Sequence, residues 1–140
     1  MLAKSIVLLS TVALLLPMVF FMFASPPLLI LKHDTPQDAR VIRTLFHIYY
    51  TMVVIVASVG ALGQAWVGRT THALAMAGVA AFVFALRRWI IPRMDVLRGT
   101  MPQGDVAAVS RFRGLHVAGI VLNMAQLVVV VWGIAPMAAA

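Results

Sequence analysis

RFRGLHVAGIVLNMAQLVVVVW, residues 111–132, decides the fold. Two arginines and His116 lead into an apolar run that holds no charge through Trp132, interrupted only by Asn123 and Gln126. A run of that length crosses a bilayer, since a membrane helix needs about 20 predominantly apolar residues. Arg111 and Arg113 then belong at the headgroups. The two amides, at i and i+3, share one helix face deep in the apolar run and look inward for partners such as Thr51, Ser58 or Gln64.

The rest of the chain follows the same rule. Of 140 residues, 63% are hydrophobic and 11% charged, so the solvent for most of the surface is lipid. Ser5 to Leu31 carries no charge and spans once, kinked at Pro17 and stopped at Pro26-Pro27. A secretory signal ending at Ala24-Ser25 is the alternative, but the run is too long and Pro26 is poorly placed for cleavage. Thr35-Pro36 signals the start of a second helix, apolar from about Leu45 to Val67, with Tyr49-Tyr50 and Trp66 expected at the two interfaces. Gly68 to Thr71 is a short turn, which makes helices two and three antiparallel neighbours. The third run begins at His72, and Pro92 is expected to end or bend it, leaving Arg93 to Arg98 for a short interfacial helix. The expected architecture is all-α: one integral-membrane, antiparallel four-helix bundle over residues 1–140, with helices at about 5–31, 36–67, 71–91 and 106–135.

Eleven Lys and Arg stand against four Asp, and nine of the eleven lie in two segments: Lys32, Arg40 and Arg43, then Arg87, Arg88, Arg93, Arg98, Arg111 and Arg113. That asymmetry predicts two cytoplasmic loops and both termini extracytoplasmic, in an inner membrane. The second group is also suited to anionic lipid headgroups. Net charge alone gives nucleic-acid binding no support. With no cysteine, disulfides and thiolate metal sites are excluded. No Asp, Glu, Lys or Arg lies mid-membrane, which speaks against a proton relay or ion-coupled transport.

Two further features invite a function. Ala73, Ala77, Ala81 and Ala85 repeat every fourth residue on the third helix, a small-residue stripe that reads as the bundle seam and as a surface for self-association or a larger membrane complex. His47 and His116 fall at similar depth on two helices of the same direction. Paired imidazoles at matched depth are what b-type haem ligation requires, so a haem or metal redox protein is the competing class. A metal site there lacks supporting ligands, because the only carboxylates are Asp34, Asp38, Asp95 and Asp105, expected in loops. Interfacial hydrogen bonding explains the two histidines more simply, and no metal or cofactor is expected. The leading expectation is a non-enzymatic structural or accessory protein, with a small-molecule transporter as the weakest alternative.

The ordered pieces Phe20-Phe21 with Pro26, Phe46 with Tyr49-Tyr50, Pro92-Arg93 with Leu97-Arg98, and Phe112-x-x-Leu115-His116 with Asn123 give the chain a family resemblance. It resembles the small four-helix membrane family typified by transmembrane protein 205. Where relatives carry a serine one turn after the histidine, this chain has Gly119. The resemblance implies a four-helix bundle and no particular activity.

Overall fold

In the computed structural model, which describes residues 1–138 and side-chain surroundings as far as Trp132, the chain is helical nearly throughout. Helix α1 spans Leu2–Ala24 and is followed by a 3-10 turn, Pro26–Ile30. Helix α2 spans Pro36–Trp66, α3 Thr70–Thr100 and α4 Val106–Ala138, with a second 3-10 turn at Met101–Gln103. All four helices are long and apolar enough to cross a membrane. They run up and down in sequence order: α1 packs on α2 and α4, and α3 on α2 and α4, with the broadest interface between α2 and α3.

The ends form for local reasons. Thr35 is the N-cap of α2, its hydroxyl accepting from the Asp38 amide at 3.1 Å, with Pro36 next in line. Asp105 does the same for α4, its carboxylate accepting from the Ala108 amide at 3.0 Å. Between α2 and α3 the chain reverses in three residues, made possible by Gly68 at φ +75°. The turn expected from the sequence is therefore present.

The α2–α3 seam differs from the expected one. Residues buried on α3 are Ala73, Met76, Ala80, Val83, Ile90 and Met94, plus Ile91. That alternation of three- and four-residue steps averages close to 3.5 and keeps one edge of the helix on its partner. A strict four-residue repeat instead precesses by about 40° per step. Hence Ala73 lies in the seam while Ala77, Ala81 and Ala85 face outward.

Pro92 does not end α3. The helix runs through it to Thr100, which keeps Met94 in the core and presents Asp95 to α2. Arg43 of α2 grips that carboxylate with two bonds, Nε to Oδ1 at 3.0 Å and Nη2 to Oδ2 at 2.9 Å, and Arg98 adds a contact at 3.7 Å. Asp95 is thus a helix residue pairing two helices rather than a loop residue. Tyr49 and Tyr50 also depart from expectation: both point into the bundle, where Tyr49 stacks on Phe21 with centroids 4.2 Å apart.

Candidate functional site: a buried serine–histidine chain and an amide-walled cavity

Two polar centres and a cavity stand out among the described residues. The first centre lies at the end opposite the chain termini. Helix α1 stops where Pro26 and Pro27 follow, and Ser25 closes it, its amide bonded to the Phe21 carbonyl at 2.9 Å. The chain then passes through the 3-10 turn to an extended Leu31 and to His33, which adopts φ +62°. A left-handed conformation is uncommon for a non-glycine residue, though histidine is among those that visit it, and it needs surrounding contacts to hold it. Here those contacts are internal: Ser25, His33 and His116 are all fully buried.

Their hydrogen bonds form a chain. Ser25 Oγ lies 2.9 Å from His116 Nε2, His116 Nδ1 lies 2.9 Å from His33 Nε2, and His33 Nδ1 meets the Leu31 carbonyl at 2.5 Å. The last partner fixes the direction, because a carbonyl only accepts. His33 Nδ1 carries the proton, His33 Nε2 accepts from His116 Nδ1, and His116 Nε2 accepts from the Ser25 hydroxyl. All three groups are thereby satisfied in their neutral forms. Burial pushes the His33 pKa below its ordinary value and Arg113 pushes the same way, against the Leu31 bond, Asp38 and Asp34. Aromatic rings enclose the chain: Phe46 meets His116 edge-on at 5.7 Å, and Phe112 lies 6.2 Å from His33. A hydroxyl oriented by two imidazoles is the arrangement nucleophilic catalysis uses. With Ser25 wholly enclosed, this one ties the α1 exit and the following loop to α4.

The second centre is the amide pair. Asn123 is buried; its Oδ1 accepts from the Tyr49 hydroxyl in a short bond, and its Nδ2 donates to the Met18 carbonyl at 3.1 Å. Gln126 Oε1 lies 3.3 Å from the same hydroxyl, leaving Nε2 without a partner. These amides do face inward, but they bridge α4 to α2 and α1 through Tyr49 and Met18. Thr51 bonds to its own helix at the His47 carbonyl, 2.7 Å away, and Gln64 bonds to Ser10.

A cavity of about 520 Å³ opens toward the terminal end, bounded by all four helices. Gln64, Gln126, Thr11 and His72 supply its polar atoms, and Leu14, Met76, Val79, Phe82 and Leu122 much of its apolar wall.

The structure distributes the other sequence candidates as follows. His116 is partnered by His33 and Ser25, and both its ring nitrogens are engaged. His47 is half-buried with Nδ1 unpartnered. Bis-histidine ligation by His47 and His116 would require His116 to leave its chain. Among the described residues, no group of three or more His, Cys, Asp or Glu is arranged to hold a metal ion. Arg88, Arg93, Arg111 and Arg113 are exposed, with Arg93 stacked on Trp89 at 4.1 Å and Arg113 reaching the Leu29 carbonyl at 3.3 Å. Arg87 is half-buried with Nε unpartnered. Ser25 and His33 were not among the sequence candidates. The usable signal was a loop histidine preceding a helix cap, two residues beyond an apolar run closed by a proline pair. No family model, curated protein or solved structure matches the chain.

Proposed function

We propose that this chain is a small accessory protein of a bacterial-type inner membrane, without catalysis of its own, that acts by helix-to-helix assembly, first with a second copy of itself. The observation that carries this reading is the outward face of α3. Ala77, Ala81 and Ala85 are exposed, with Gly78 beside them, while a different edge of the helix makes the internal seam. In lipid, helices associate through close packing at small residues rather than through hydrophobicity. The exposed arginines at the loop end fit a cytoplasmic position against anionic headgroups, with both termini on the other side. The ordered pieces that resemble the transmembrane protein 205 family fit the same kind of molecule. The haem reading is weaker because His116 is already committed to two protein partners.

The test is Ala77→Leu and Ala81→Leu, scored by cross-linking in native membranes and by size in mild detergent. Both positions are exposed, so the fold tolerates the larger side chain. Lost assembly with unchanged thermal stability supports the reading. Assembly that ignores both substitutions sinks it.

A further inference from the structure

The cavity at the terminal end is more than a packing gap, because one wall presents a polar atom with nothing to bond. Gln64 is 1% exposed and its Nε2 donates to Ser10 Oγ at 2.9 Å. Ser10 spends its own proton on the Ile6 carbonyl, 2.7 Å away, so it can only accept from Gln64. The unpartnered end of the buried amide is therefore the acceptor, Oε1, and the residue lines the cavity. Buried polar groups are nearly always satisfied, and an exception that lines a cavity asks for an occupant. The Gln126 amide also lines the cavity, with one end unpartnered.

Shape and charge narrow the occupant. The lining has no Asp, Glu, Lys or Arg, and His72 is its one titratable side chain. From His72 to Phe82 the α3 wall rises through ten residue steps, about 15 Å of helix. Gln64 and His72 sit where α2 ends and α3 begins, and Phe82, Leu122 and Leu14 lie further in. The volume is in the range of small-molecule sites, which are mostly apolar with a few placed polar groups. A hydroxyl donates, as the Gln64 Oε1 acceptor requires.

We infer that this cavity binds a neutral, lipid-soluble alcohol: an elongated apolar body with a hydroxyl head donating to Gln64 Oε1. The site borders the assembly face at Gly78 but excludes Ala77, Ala81 and Ala85, since Ala77 and Val79 point to opposite flanks of α3 at 100° per residue. It needs no charge movement, in keeping with a lining free of Asp, Glu, Lys and Arg.

The experiment uses the full chain in lipid nanodiscs with a long-chain primary alcohol bearing a photoreactive group on its tail. Unlabelled alcohol competes against its methyl ether, which has the same body but cannot donate. The expected result is labelling of the α3 and α4 walls near Val79 and Leu122, with the alcohol competing at least about tenfold better than the ether. In Gln64→Leu that preference disappears while labelling persists. Val79→Trp, which fills the apolar wall, lowers labelling altogether; circular dichroism and thermal unfolding confirm that both variants are folded. Equal competition by alcohol and ether in the wild-type chain, which depends on no variant, would overturn the inference. So would labelling spread to lipid-facing positions such as Val117 and Val121.

Discussion

Gly119 carries no side chain because the Phe46 ring occupies the space a Cβ would need. That ring packs on Phe21, Tyr50 and His116, so it has little room to retreat. Gly119→Ala is expected to cost about 1–3 kcal/mol of stability, the usual range for overpacking a tight core. Thermal unfolding in detergent checks this, and Phe46→Leu in the same chain should recover part of the loss. If Gly119→Ala is neutral alone, the ring is not the constraint. The neighbouring histidine chain makes a second prediction. The lowered pKa of His33 means that the folded state excludes a proton that the unfolded chain takes up. Its contribution is complete above the ordinary value of 6.5 and is lost as pH falls below it toward the depressed folded value. Melting temperature should therefore decline as pH drops from about 7 to 5, and the slope should shrink in His33→Asn, whose side chain tolerates the left-handed backbone. An unchanged slope would remove His33 from the account. His116 was legible as a polar residue one turn inside a headgroup arginine. Ser25 and His33 were not, because their pairing depends on a positive φ that nothing local demands and on a contact across 91 residues of chain.

Helix α3 shows what a periodic pattern can and cannot convey. Small residues at fixed spacing identify a packing surface, but whether it faces the chain's own bundle depends on how the repeat precesses against the 3.5-residue seam. Four-residue spacing carries Ala85 about 120° away from Ala73, which is why one alanine is buried and three are not. Pro92 was equally ambiguous, since a proline stops a helix only when nothing else holds the two sides together. Here Ile91 and Met94 are in the core and Arg43 reaches across from α2 to hold Asp95. The pair is about one-third exposed, with side chains 29% and 35% accessible, so its worth is that of a surface bridge, up to about 1 kcal/mol. Asp95→Asn should accordingly leave the fold intact and raise hydrogen exchange selectively over residues 93–100, with the buried stretch of α3 from Ala73 to Val83 unchanged. Exchange that rises uniformly along α3, or not at all, would mean the segment beyond Pro92 is held by something else. The caps at Thr35 and the turn at Gly68, by contrast, were readable because each is set by residues adjacent in sequence.

At the scale of the whole molecule, hydropathy and charge told most, since four apolar runs separated by two basic segments leave few arrangements open. What they left unread was the interior, where Tyr49 joins Asn123 and Gln64 joins Ser10 between elements far apart in sequence. Orientation is a separate matter that the bundle itself does not fix. Nine of eleven cations lie toward the end where α1 joins α2 and α3 joins α4, and only Lys4 and Arg69 lie toward the other end. If that excess governs insertion, the loop end stays in the cytoplasm and both termini are exported. The chain has no cysteine, so one introduced thiol reports one position without background. Thr71 and Gln103 are both exposed and stand at opposite ends of α3 and its following turn. In intact spheroplasts a membrane-impermeant maleimide should label Thr71→Cys and reach Gln103→Cys only after lysis. The reverse pattern would place the arginines outside and remove the cytoplasmic role assigned to them. Labelling of both before lysis would show two insertion orientations, leaving the charge excess too weak to choose. Moving the bias should move the outcome: replacing Arg93, Arg98, Arg111 and Arg113 by glutamine while adding lysines beside Lys4 should shift labelling from residue 71 toward residue 103, because insertion responds to the difference in Lys and Arg between the two ends.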